Sequence, residues 1–269
     1  MAKAGVETAT RHKPKTYFEK RASAAMEEHL LTPEWSVRQK LALTARMLAA
    51  RDHSTGLAGQ ITARGEAPGT MWTARFGLGL EEVCARDFLL VDEDLRVLRG
   101  EGMANPSNRF HLWIYRARLD VRCVVHTHPP YCSALSMVGV PLHAAHMDTA
   151  MFHDDCAWLE TWPGPPIGDE EGELISGALG DKNSILLAHH GQLAAAATVE
   201  EAAVRAVMIE HAARLQLLAM AAGRIRDLPP DAGRQAHDYR LKPAPLNATF
   251  HYFARLALQN GPECLDEDD

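Results

Sequence analysis

Short apolar runs alternate with amphipathic segments along most of this 269-residue chain. Brief apolar runs bounded by Gly, Pro and Asp are typical of strands, whereas apolar residues spaced three and four apart are typical of helices. We predict strands at 60–63, 70–74, 88–91, 95–98, 122–125 and 184–188. We predict helices at 32–51, 131–138, 169–179 and 198–222. A further helix is predicted to follow the loop at 105–107 and to end near residue 118. This pattern favours an α/β domain with helices around one sheet, whose strand order the sequence does not give.

No repeat or linker divides the chain between residues 31 and 260, so we expect a single domain there. Residues 1–30 are polar and are expected to form an N-terminal arm that lies over the domain or across a partner subunit. Residues 261–269 form an acidic tail, and we expect its end, from Glu267 onward, to be frayed. The segment 147–162 is expected to be a loop.

The charge balance excludes several classes of partner. A net charge of −7 gives no general attraction to nucleic acid or to an anionic membrane. No apolar run approaches the roughly 20 residues that span a bilayer. Five widely spaced cysteines and an N-terminus without an apolar leader lead us to expect a reducing cytoplasm, with the thiols buried as small apolar groups. Nucleic acid and membranes are therefore not expected as partners.

Two of the fourteen histidines are placed by backbone geometry on one face. His126 and His128 stand at the end of a predicted strand, where side chains two apart point the same way. A second predicted strand ends in His189–His190–Gly191. Three imidazoles at strand ends are a typical ligand set for a catalytic metal with an open position. Alone, a His-x-His pair is more often structural than metal-binding.

Three segments together carry a family resemblance. They are AGQITAR at 58–64, the run from NPSNRFHLW to VVHTHPPYCSALSM at 105–137, and AHHG at 188–191. They resemble the class II aldolase/adducin family, in particular the sugar-phosphate aldolases and epimerases, over roughly 41–222. The resemblance implies a three-layer α/β/α domain with a largely antiparallel or mixed sheet, commonly a homotetramer with active sites at subunit interfaces.

The resemblance also implies a ligand set and a type of chemistry. His126, His128 and His190 match the family's metal ligands, while His189 is expected to support the site or to pack near it. The metal is usually zinc, although imidazoles also suit manganese, iron and cobalt. In the family it stabilises the enediolate or carbanion that forms when a carbon–carbon bond breaks.

Several positions depart from the family pattern. A gapless count places Ser107 where the aldolases have an acid–base glutamate, and Met147 where they have a tyrosine. Gln60 replaces an asparagine, and Asn105–Pro106 replaces two serines, in the phosphate-binding segments. A phosphorylated substrate is therefore not expected. Gln60, Ser107 and Arg75 remain candidates for substrate binding, Arg75 through a carboxylate and its guanidinium fork.

The lost acid–base groups leave three functional hypotheses open. The first is a metal-dependent aldolase-type lyase for a small hydroxy- or oxo-carboxylate, with His146 and Asp148 as candidate catalytic groups. They belong to a cluster with His153, Asp154 and Asp155, which is more often a polar loop or an interface network than a catalytic site. The second is a metal-dependent decarboxylase of a hydroxylated aromatic or pyridine carboxylate. The third is a non-catalytic, adducin-like interaction protein.

Overall fold

The computed structural model describes residues 12–30 and 32–267. Eight strands form one sheet in the order β4-β3-β2-β1-β5-β8-β7-β6. All neighbouring strands are antiparallel except β6 and β7, which are parallel. The strands are β1 Gln60–Arg64, β2 Met71–Ala74, β3 Phe88–Val91, β4 Val97–Arg99, β5 Cys123–Thr127, β6 Cys156–Leu159, β7 Ser184–Leu187 and β8 Gln192–Ala196. The α/β class and the largely antiparallel sheet are confirmed.

Helices cover both faces of the sheet. They are α1 Lys15–His29, α2 Val37–Ala49, α3 Arg109–Ala117, α4 Pro130–Val138, α5 Asp169–Leu179, α6 Val199–Ala222, α7 Pro230–Arg240 and α8 Pro243–Leu258. One core packs α2, α6 and α8 on the face that carries Ile61 and Val125. The other core packs α3 and α5 on the face that carries Val124 and Leu193. Alternate residues of β5 therefore enter different cores, as the period of two requires.

Capping residues explain where the predicted helix boundaries hold and where they fail. Helix α2 begins at Val37 because the Ser36 hydroxyl accepts a hydrogen bond from the backbone N–H of Gln39, and the Gln39 side-chain oxygen accepts one from the backbone N–H of Ser36. This capping box corrects the predicted start near residue 32. Helix α6 begins after Thr198, which caps it as predicted. The side chain of Glu201 does not complete a capping box there, because it pairs with Arg205.

The predicted loop at 147–162 contains more structure than its sequence indicates. A 3-10 helix covers Met147–Phe152, and β6 follows as an edge strand. Strand β6 was not predicted because only its last residue is buried, so the segment lacks a continuous apolar pattern.

The two ends of the chain are attached to the domain. Helix α1 has no buried residue and lies against α8. A 3-10 helix at Pro262–Leu265 buries Cys264, and Glu267 pairs with Arg38 at 3.5 Å, so this part of the expected acidic tail is fixed rather than frayed. Residues 268–269 lie outside the described residues, as does the first part of the arm. Within the described residues, no helix is both long and apolar enough to cross a membrane.

Candidate metal centre

Strand β5 delivers two of the three candidate ligands. His126 is 1% exposed and lies directly opposite Gln60 on β1 and Leu193 on β8. His128 follows the end of the strand and is half-buried, with its side chain on the same side as His126. The alternation along the strand therefore brings both imidazoles to one edge of the sheet, as predicted.

The third imidazole comes from the turn between β7 and β8. His189 has a φ of 55°, in the left-handed region, and its side chain is exposed. A non-glycine residue in this region costs about 1–2 kcal/mol, so the surrounding structure must hold it. The turn directs His190 toward the β5 histidines and leaves His189 outside the cluster.

The three imidazoles converge on one point. One nitrogen from each of His126, His128 and His190 lies within 4.8 Å of the other two. The ring centroids are 4.6–4.7 Å apart, and the Nε2 atoms of His126 and His128 are separated by 2.9 Å. Among the described residues, no other group of three such side chains meets in this way. The arrangement suits one small cation.

Burial keeps these imidazoles neutral. It lowers the pKa of His126 well below its ordinary value, and the neighbouring His190 and His128 lower that pKa further. Burial, followed by the proximity of His128, lowers the pKa of His190 to about 4, and burial also lowers the pKa of His128. Neutral imidazole is the form that binds metals, so the set is ready for a cation at neutral pH.

A chain of hydrogen bonds fixes the ring of His126. Its Nδ1 donates to the backbone carbonyl of Gln192 at 2.8 Å, so the lone pair is on Nε2, which faces the cluster. The Gln192 side chain donates to Thr127 Oγ1 at 2.7 Å, and Nδ1 of the buried His53 lies 2.8 Å from the same oxygen. Such outer contacts orient a metal-ligating histidine. These contacts could not be predicted from the sequence because the residues that form them are far apart in the chain.

Two further contacts hold the segment that carries His128. A Cβ on Gly191 would lie 2.5 Å from the Thr127 carbonyl oxygen and 2.6 Å from Cδ2 of His128, so only glycine fits there without a shift. The carboxylate of Glu210 on α6 accepts hydrogen bonds from the N–H groups of Tyr131 and Cys132 at 2.8 and 2.7 Å. These N–H groups lie in the first turn of α4, where a negative charge also interacts favourably with the positive end of the helix dipole.

Two of the three candidate substrate residues share one cavity. Gln60 and Arg75 line it together with Asn105. Gln60 lies directly opposite His126 on the neighbouring strand, although none of the three histidines lines this cavity. Ser107 is half-buried in the 3-10 turn Pro106–Asn108 that precedes α3, and its N–H donates to Asn105 Oδ1 at 3.0 Å.

The two candidate catalytic residues lie in a different environment. His146 caps the 3-10 helix at 147–152 by accepting from the N–H of Asp148 at 3.1 Å. Asp148 forms an ion pair with Arg240 on α7. Among the described residues, neither side chain contacts the three histidines through a hydrogen bond or a ring contact. Within one chain the structure therefore does not bring these residues to the cluster.

The neighbouring acidic residues form a buried ion network. Arg205, which is 1% exposed, lies 2.8 Å from Asp155 and 2.8 Å from Glu201. His237 on α7 lies 3.4 Å from Asp155. Despite the opposing effect of burial, His237 and Arg205 hold the pKa of Asp155 below its ordinary value. This network ties the start of β6 to α6 and α7.

The family follows from a comparison with known proteins. Residues 39–217 match the family model for the class II aldolase and adducin N-terminal domain, which is well over half of the chain. The chain belongs to the class II aldolase/adducin family.

Relatives in this family include both decarboxylases and aldolases. The 3,4-dihydroxyphthalate decarboxylase of Arthrobacter keyseri is 30% identical over 71% of this chain and 82% of its own length. The L-fuculose phosphate aldolase of Escherichia coli is 29% identical over 62% of this chain and 75% of its own. Among solved structures, L-fuculose 1-phosphate aldolase from Glaciozyma antarctica superposes with a TM-score of 0.79 at 23% identity, covering 90% of this chain and 98% of that one.

Family membership supports an enzyme of the lyase type. The aldolase and decarboxylase relatives share the cleavage of a carbon–carbon bond, which is the part of the activity common to both. The class II aldolases are generally dependent on a divalent metal, and the three histidines are a group that could hold one.

Proposed function

We propose that this class II aldolase homologue is a divalent-metal-dependent carbon–carbon lyase that acts on a small, non-phosphorylated hydroxy- or oxo-carboxylate. The observation that carries the proposal is the convergence of neutral imidazoles from His126, His128 and His190 within 4.8 Å. Lone pairs of neutral nitrogens brought this close favour a shared cation.

The donor set fits a divalent ion. His126 and His128 face each other through Nε2 atoms 2.9 Å apart, and the Nδ1 hydrogen bond to Gln192 leaves the lone pair of His126 on the facing atom. A bound cation supplies Lewis-acid stabilisation of charge that develops at oxygen. We propose zinc, since three imidazoles are typical of catalytic zinc, with manganese, iron or cobalt as alternatives.

Residues of this chain then bind and orient the substrate. We propose that Gln60 and Arg75, which line one cavity, contact it, and that Ser107 contributes a hydroxyl from the turn before α3. His146 and Asp148 remain candidates for moving a proton. Their contacts within one chain do not reach the histidines, so we propose that they act in the site of a neighbouring subunit of a homo-oligomer.

Decarboxylation is the second candidate reaction, and one observation favours it. Position 107, at the start of α3, carries a serine rather than a carboxylate, so the acid–base group expected of an aldolase is absent there. Loss of carbon dioxide leaves a carbanion that water can protonate, which removes the need for a carboxylate at this position. The similarity to 3,4-dihydroxyphthalate decarboxylase supports the same choice.

Location and assembly are part of the proposal. All five cysteines are free, which supports a reducing cytoplasm. A homotetramer is expected from the resemblance to the family, and the molecular mass in solution tests it.

Metal analysis tests the proposal directly. We expect about one divalent ion per chain in the purified protein, and its loss in His126→Ala and His190→Ala. The matched control is His189→Ala, since His189 is the exposed neighbour of a proposed ligand. An unchanged metal content in the two ligand variants would end the proposal.

A substrate screen then separates the reactions. Hydroxy- and oxo-acids, aliphatic and aromatic, are tested for metal-dependent release of an aldehyde or of carbon dioxide. Aldehyde supports the aldolase and carbon dioxide the decarboxylase. A metal-loaded protein that releases neither product across the panel favours the adducin-like interaction role instead.

A further inference from the structure

A row of three side chains crosses three neighbouring strands beside the histidine cluster. His126 on β5 is paired with Gln60 on β1, and directly paired residues of antiparallel strands project to the same side. The β1–β2 register pairs Thr62 with Thr73. Continued by two residues, that register places Arg75 opposite Gln60. Since neighbouring strands lie about 4.8 Å apart, the backbone of Arg75, two strands away, lies roughly 10 Å from the backbone of His126.

The cavity between these positions is small, about 30 Å³, and encloses a polar atom without a partner. Gln60 and Arg75 both line it, although they come from different strands. Gln60 is only 8% exposed, and its Oε1 is enclosed without a hydrogen-bond donor among the described residues. A buried acceptor left without a donor costs about 1–3 kcal/mol, so a bound donor in this cavity would stabilise it.

The guanidinium of Arg75 is held in place but retains free donors. One nitrogen contacts Asp87 Oδ1 at 3.1 Å, and the stem of the side chain lies against Gly102, where a Cβ would approach Cδ of Arg75 to 2.6 Å. The side chain is 41% exposed. An arginine has five N–H donors, so the pair with Asp87 leaves others for a second carboxylate.

The same region is poorly suited to a phosphate. Helix starts bind phosphate through free backbone N–H groups, but Pro106 has none and the N–H of Ser107 is taken by the Asn105 side chain at 3.0 Å. Arg75, Arg86, Asp87 and Glu101 line the adjoining depression. The two carboxylates balance the two guanidinium groups, so the depression has no excess positive charge that would favour a phosphate dianion over a carboxylate.

We infer that Arg75 determines specificity by binding a carboxylate at the end of the substrate remote from the histidine cluster. The substrate is therefore an acid with two anionic ends, one directed to the three histidines and one, a carboxylate, directed to Arg75. This inference rests on the proposed function, because it assumes that the first end is bound at the cluster.

Binding of a matched ligand series tests the inference without any turnover. The probes are 2-hydroxyglutarate and 2-hydroxyadipate, each with its terminal carboxylate intact, converted to an amide, or replaced by a phosphonate. Their affinities for the zinc-loaded full-length protein are measured by calorimetry. At one chain length or both, we expect the carboxylate to bind at least tenfold more tightly than the amide and the phosphonate.

Variants locate the preference on one residue. Arg75→Gln is expected to abolish the tenfold preference and to leave the affinity for the amide within twofold of the parent. Arg109→Gln is the matched control, since Arg109 pairs with Asp169 at the start of α5 and does not line the cavities at Arg75, so this variant is expected to keep the preference. Asp87→Asn removes a negative charge next to Arg75 and should improve the binding of the phosphonate relative to that of the carboxylate. This variant keeps the inference testable if Arg75→Gln does not fold.

The two levels of the proposal fail differently. A protein that takes up no zinc contradicts the proposed function and, with it, this inference. A zinc-loaded protein that binds amide as tightly as carboxylate, prefers phosphonate, or binds no member of the series contradicts the inference alone. So does an Arg75→Gln variant that keeps the preference.

Discussion

The histidine cluster and the Asp155 ion network contain similar residue types in opposite electrostatic arrangements. His126, His128 and His190 face one another without a carboxylate, and burial keeps them neutral. In the network, His237 lies beside Asp155, which also pairs with Arg205. Imidazoles without a counter-charge can accept a cation, whereas imidazoles paired with acids stabilise a fold. Composition alone does not separate the two cases, but the partner of each ring does.

The largest expected effect comes from breaking the ion network. Arg205→Met leaves Asp155 and Glu201 without their cation in a buried site, which should lower the free energy of unfolding by about 3–5 kcal/mol. Urea denaturation measures this loss. Metal content per folded molecule should stay at the parental level. A variant that keeps its stability but loses metal would reverse the roles we assign to the two regions.

A smaller effect is expected from crowding the cluster. In Gly191→Ala the new Cβ would meet the Thr127 carbonyl and His128, so we expect a loss of up to about 3 kcal/mol of stability. We also expect metal affinity to fall more than tenfold, as for other changes that displace a ligand. The control is Gly177→Ala on α5, where a Cβ has no atom within 4 Å. Equal metal affinity in both variants would contradict the assigned packing.

The hydrogen bonds behind His126 should contribute less. Thr127→Val removes the hydroxyl that contacts His53 and Gln192, leaving two buried groups unpaired at a cost of about 1–2 kcal/mol. Metal affinity should fall as well, because Gln192 orients His126. Thr127→Ser keeps the hydroxyl and should restore both properties. Competition with a metal-sensitive dye measures the affinity, and failure of the serine variant to restore it would indicate a packing effect instead.

The smallest expected effect is a pH dependence within the ion network. The hydrogen bond with Asp155 raises the pKa of His237 above its ordinary value of 6.5. The resulting stability, less than about 1 kcal/mol for a pair of this exposure, is fully present below pH 6.5 and is lost as the pH rises through the raised pKa. The difference in unfolding free energy between the parent and His237→Leu should therefore become smaller as the pH rises above 6.5. The exposed His211→Asn serves as the control, and a constant difference across this range would exclude the contribution.

The sequence indicated the fold class and most strands because burial leaves a periodic pattern that can be read locally. The same alternation placed His126 and His128 on one face. It missed β6, whose side chains are only partly buried, and it placed the start of α2 too early because Ser36, not Thr32, provides the cap. The role of Glu210 could not be predicted either, since nothing near it in the chain indicates that it caps α4.

By itself, the sequence determined that this is an α/β member of the class II aldolase/adducin family with a His-x-His pair at a strand end. The resemblance to the family also singled out His190 rather than His189. Only the tertiary structure decided that the His190 ring meets that pair, and that His146 and Asp148 lie apart from it within one chain. Local side-chain direction follows from backbone period. The meeting of distant side chains depends on strand order and on turns such as the left-handed one at His189, which the sequence pattern does not encode.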